Sequence, residues 1–156
     1  MAHDIAPAAE RTVQAALAEK LLHAWAQNRQ QVGVPLALNL GRMEPAARGL
    51  LLRVMAAALA AGGAGPEAAA RLGPALRRVG AEVEVATVAA ALAPPPDVFA
   101  LMAEVEAAGL GAPAYAAAAA VLDRRNPAAR AFLDWLAARL ALPASLAAGL
   151  ARRYRG

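Results

Sequence analysis

The chain has no cysteine, a single lysine (Lys20), a single serine (Ser145) and only 4% aromatic residues. Without cysteine there can be no disulfide framework, thiol catalysis, iron–sulfur cluster or cysteine zinc site. The shortage of aromatics leaves no stacking platform for single-stranded nucleic acid. No apolar run reaches the ~20 residues that a spanning helix needs. Residues 49–62 are interrupted by Arg53, and residues 112–122 are mostly alanine. The opening Met1-Ala2-His3-Asp4 lacks the basic-then-apolar order of a signal peptide. The sequence therefore predicts a soluble, cytoplasmic chain without a transmembrane segment, with a location at the inner membrane as the alternative.

What is present is apolar and small. Hydrophobic residues make up 60% of the 156 positions and charged ones 18%, against a usual ~45–50% and ~25%. That excludes a charged, low-hydrophobicity disordered chain. Alanine, the strongest helix former, supplies about a third of the chain. The formal net charge is +4. Basic residues are scattered except at Arg77-Arg78, Arg124-Arg125 and a tail of Arg152, Arg153 and Arg155 around Tyr154. The tail is a candidate anion-binding element, but helix carboxyl ends attract cations in any case, and no nucleic-acid partner is expected.

Proline and glycine divide the chain into helices. Val13, Leu17, Leu21 and Ala24 recur at helical spacing in a first amphipathic helix over about 7–30. Residues 32–44, with Gly33, Pro35 and Gly41, read as an extended linker. The second helix should run from Pro45 to Ala61, with Leu51, Leu52, Met55 and Leu59 inside. Pro66 opens the next one as a first-turn proline, with a kink expected at Gly73-Pro74 and an end at Gly80. Residues 81–92 permit a strand, since Val83, Val85 and Thr87-Val88 alternate in the way one would. A lone strand among helices has no partner, so a helix is expected. Asp97 should cap a helix to Ala108, and another should run from Pro113 to Leu122. Asn126 and Pro127 should open the helix carrying Phe132, Leu133, Leu136 and Leu140. Pro143 and Ser145 should start the last one. Met55-Ala-Ala-Ala, a turn, Pro66 and Ala70-Arg71 also resemble Tyr115-Ala-Ala-Ala, a turn, Pro127 and Ala129-Arg130, as an internal duplication would.

No catalytic constellation is visible. The 62–65 glycine run lacks the Lys-Ser/Thr of a phosphate loop. His3 reads as part of a frayed terminus, His23 has no acidic or histidine neighbour at four-residue spacing, and Ser145 has no triad partners. Glu82, Glu84, Glu104 and Glu106 form i,i+2 pairs, which point to different helix sides and read as solvated faces. Trp25 and Trp135 read as core or edge-of-core residues.

The segment from Leu50 to Gly62, followed by Pro66-Glu67 and Arg71-Leu72, resembles the opening of the TerB-like tellurite-resistance fold. Within it, the chain is most similar to the YebE-like bacterial proteins of unknown function. Tyr115, Leu122-Asp123, Asn126-Pro127, Arg130, Phe132-Leu133, Leu136, Leu140 and Pro143 continue the resemblance, which covers about residues 48–154. It implies an all-helical bundle without a settled activity. In that family the first turn usually carries Asp-Gly-x-Ile-Asp and the later one Asp-x-Asp followed by Pro and Glu, acids able to hold a hard divalent cation. Here the first-turn acids align with Ala61 and Gly65, the later second acid with Arg125 and the later Glu with Ala129. Only Glu67 and Asp123 remain as candidate acidic positions. Asp123 reads as a turn acid near Arg124 or Arg130.

The expectation is an all-α, TerB-like bundle of about seven to eight short helices. Residues 1–44 would be the N-terminal helix and linker, and 45–156 the helical domain. The function expected is non-enzymatic: an interaction or scaffold module, associated with the envelope or with stress, binding a protein partner and forming a homodimer through its N-terminal helix. No cofactor, metal or catalytic residue is assigned. The alternatives are an ion-responsive module using Glu67 and Asp123, and an arginine-tail binder of nucleic acid or anionic membrane.

Overall fold

The computed structural model describes residues 37–63, 66–94 and 96–154. The amphipathic helix expected over 7–30, with Trp25 and both histidines, lies outside them. Among the described residues there are seven α-helices and no strand: α1 (Pro45–Ala61), α2 (Pro66–Arg78), α3 (Val85–Ala90), α4 (Val98–Ala107), α5 (Gly111–Val121), α6 (Pro127–Arg139) and α7 (Ala144–Arg153). Short 3₁₀ turns at Leu40–Arg42 and Glu82–Glu84 precede α1 and α3. The all-α expectation holds, including a helix rather than a strand over 85–90.

Local chemistry explains the helix ends. Pro45, Pro66 and Pro127 each open a helix, where the missing N–H has no intrahelical partner to lose. The Asp97 carboxylate accepts the N–H groups of Phe99 (2.9 Å) and Ala100 (3.2 Å). α2 runs unbroken through Pro74, which is exposed, to Arg78.

Three helices close with the same double hydrogen bond. In α2, Ala81 N–H donates to Leu76 O and Gly80 N–H to Arg77 O. In α4, Leu110 donates to Val105 and Gly109 to Glu106. In α6, Leu142 donates to Ala137 and Ala141 to Ala138. This is the Schellman arrangement, whose turning residue takes a left-handed backbone. That residue is Gly80 (φ +68°) and Gly109 (φ +67°), but Ala141 (φ +49°) in α6. The left-handed region costs a side-chain-bearing residue ~1–2 kcal/mol, partly offset in glycine by its looser unfolded chain. Ala141→Gly should therefore stabilise the protein by about 0.5–1 kcal/mol, read as a higher urea midpoint at unchanged m-value.

The core is built around α1 and α5. From Pro113 to Val121 every residue of α5 is buried, and the helix packs against α1, α2, α4, α6 and α7. A helix buried all round is an internal one. Its alanines let neighbours approach closely, and Leu51, Val54 and Met55 of α1, with Leu76, Leu101, Met102 and Leu136, fill the remaining space.

The linker expected over 32–44 is corrected for its described part. Leu38 and Leu40 are buried. Leu40 N–H donates to Val79 O (2.7 Å) and Leu38 N–H to the Tyr154 hydroxyl (2.6 Å). A Cβ on Gly41 would lie 2.7 Å from Gly80 O, so glycine permits this close approach. The compact unit holding all seven helices starts at Leu36 rather than Pro45, because the leucines on either side of Asn39 both find a place in the core.

Candidate functional site

The two similar sequence segments become two helix–turn–helix units, α1–α2 and α5–α6, and their turns meet. Asn126 joins them. Its Oδ1 caps α6 by accepting Ala128 N–H (2.9 Å), and its Nδ2 donates to Gly62 O at the end of α1 (2.6 Å). A Cβ on Gly62 would lie 2.5 Å from Leu122 Cδ2, so the glycine lets Leu122 close over it. Gly63 follows with φ +87°. Between the turns lies an open cleft of about 640 Å³, lined by Leu59, Gly62, Pro66, Arg71, Asp123 and Asn126 among others.

Asp123 is the ionised centre of this cleft. Its Oδ1 accepts the Arg125 N–H (2.9 Å), and its Oδ2 pairs with Arg71 Nη1 (2.8 Å). The backbone hydrogen bond first, and the Arg71 guanidinium after it, hold the carboxyl below the usual aspartate range. The sequence placed Asp123 near Arg124 or Arg130. The structure corrects the partner to Arg71 on α2, while Arg124 donates instead to Ala151 O (3.3 Å). The sequence marked Arg71 through the repeat, where it matches Arg130, and through the family resemblance, but not as the partner of Asp123. Glu67, the other candidate acid, is the second residue of α2, one helical turn before Arg71. Among the described residues no three His, Asp or Glu side chains gather as a cation cage would require.

A carboxyl with a depressed folded-state pKa contributes stability above its unfolded value, ~3.9 for Asp. That contribution is lost as pH falls through the folded value. Below about pH 4 the stability of the wild type should thus fall more steeply than that of Asp123→Asn, measured by urea unfolding across an acid series.

Glu84, Glu104 and Glu106 are less free than solvated faces. Glu104 of α4 takes a bidentate pair from Arg53 of α1 (2.7 and 2.9 Å), Glu106 pairs with Arg139 of α6, and Glu84 lies 3.8 Å from Arg48. The Arg53–Glu104 and Arg139–Glu106 pairs are exposed and of small energetic weight. Phe99 of α4 is 72% exposed. Its ring stands edge-on to Trp135 at 6.0 Å, and Phe132 lies 5.6 Å from Trp135. Trp135 is at the edge of the core, as expected. Ser145 lies in the first turn of α7 behind Pro143. Arg152 and Arg153 are exposed at the end of α7, with Arg153 6.0 Å from the Tyr154 ring centre; Arg155 lies outside the described residues.

No helix among the described residues is long and apolar enough to cross a membrane. No match is found among curated proteins or among solved structures. A family model described as "Protein of unknown function (DUF533)" matches residues 2–154. With nearly its whole length matched, the chain belongs to the DUF533 family.

Proposed function

We propose that this protein is a non-enzymatic, TerB-like interaction module that presents a protein-binding surface on a rigid helical bundle. The YebE-like resemblance and its tellurite-resistance or stress context are part of this reading, and the DUF533 match and the helical fold support it. The observation that carries it is the Phe99–Trp135–Phe132 cluster. A phenylalanine left 72% exposed wastes apolar area in a monomer, and aromatic residues are enriched at protein interfaces. The ion pairs of Glu104 and Glu106 with Arg53 and Arg139 provide polar groups along the same helix.

The turn-to-turn cleft is assigned a structural role. Asp123 already has a cationic partner and a backbone donor there. A divalent cation would have to displace the Arg71 guanidinium.

A photocrosslinking residue placed at Phe99 tests the surface in cells. It should yield discrete adducts that the same residue at exposed Arg130 does not, and Phe99→Ser should keep its helical circular dichroism. Equal labelling from both positions would sink the reading.

A further inference from the structure

The carboxyl ends of α2, α5 and α7 are tied to one another. Arg78 Nη2 donates to Ala120 O near the end of α5 (3.2 Å), and Arg124 Nη1 to Ala151 O near the end of α7 (3.3 Å). Residues 38–40 bridge the other two ends, with Leu40 N–H on Val79 O and Leu38 N–H on the Tyr154 hydroxyl. Six exposed arginines sit on these ends and the bridging turn: Arg42, Arg77, Arg78, Arg124, Arg152 and Arg153.

Their number exceeds what the fold requires. A helix carboxyl end carries about −0.5 charge, so three of them ask for roughly one to two cations. The six exposed arginines outnumber that requirement. Guanidinium groups bind phosphate oxygens well, because their planar fork matches two oxygens at once.

We propose that this basic end of the bundle docks on a membrane surface rich in anionic phospholipid headgroups. The inference goes beyond the protein-binding reading and uses a different part of the molecule. The arginines are spread over three helix ends and a turn, rather than along one helix that could lie in a groove. Tyr154, the aromatic residue at this end, is buried and its hydroxyl is engaged by Leu38 N–H, so it offers no face for base stacking. A headgroup plane asks only for clustered positive charge.

Flotation of the full chain with vesicles tests this. Phosphatidylcholine alone should not retain the protein. Phosphatidylcholine and phosphatidylglycerol in equal parts should retain it at low salt, and release it at about 1 M NaCl, where the screening length is ~3 Å. Arg77→Glu with Arg152→Glu should weaken retention at least about tenfold. Arg53→Glu with Arg139→Glu has the same net charge but sits on the α4 side, and should change retention less than about twofold. Arg77→Gln with Arg152→Gln gives a milder loss and replaces the glutamate pair if that pair does not fold. No retention on anionic vesicles, or equal loss in both charge-matched variants, would overturn the proposal. So would tighter binding to duplex DNA than to the vesicles. Phe99→Ser should float as the wild type does, which separates failure here from failure of the protein-binding surface.

Discussion

Ala118→Leu is expected to lower the unfolding free energy by about 3 kcal/mol, the upper end of the usual range for overpacking a core. Ala118 is fully buried in α5, which has α1, α2, α4, α6 and α7 packed around it. A leucine there has no solvent side to turn toward. The added carbons must push α5 away from a neighbour or occupy poor rotamers, and protein interiors are too dense to absorb them. The same substitution at exposed Ala103 of α4 should stay within about 0.5 kcal/mol of zero. Urea unfolding of the two variants measures the contrast. Equal small effects at both sites would mean that the interior around α5 is loosely filled and that alanine is not acting there as a spacer.

Asn126→Ala is the second substitution with a large expected cost, about 2–3 kcal/mol. It removes two bonds that act on different levels of the structure. The Oδ1 bond to Ala128 N–H is a helix cap, worth ~1 kcal/mol. The Nδ2 bond to Gly62 O joins the two turns across 64 residues, and its loss leaves a part-buried carbonyl without its donor, ~1–3 kcal/mol. Asp97→Ala is the matched control, since Asp97 only caps its own helix; it should cost ~1 kcal/mol. Asn126→Asp keeps the cap oxygen but sets a carboxylate against the Gly62 carbonyl, so it should lose the tertiary part alone. If Asn126→Ala and Asp97→Ala cost the same, the bond between the turns contributes nothing to stability.

These two sites mark the limit of what local sequence conveys. The helix starts at Pro45, Pro66, Asp97 and Asn126-Pro127 were legible, because a cap or a first-turn proline acts on the backbone within three residues of itself. The ends at Gly80 and Gly109 were legible for the same reason, through glycine's access to the left-handed backbone. The end of α6 was not marked in this way, because alanine occupies the turning position at Ala141. The long alanine run of α5 predicts a helix but no face, since identical side chains all round carry no periodicity.

The order of residues was enough to show that this chain is helical, where most of its helices begin, that cysteine chemistry is absent, and that two segments repeat. Tertiary structure alone decided that α5 lies at the centre and that Leu38 and Leu40 belong to the core. It also decided that Asp123 is held by Arg71, and that the arginines of α2 and α7 share one end. The physical reason is range. Capping and helix propensity are settled within a few residues, whereas Arg71 and Asp123, or Leu38 and Tyr154, meet only after the helices between them have packed, and no local pattern in the chain records those meetings.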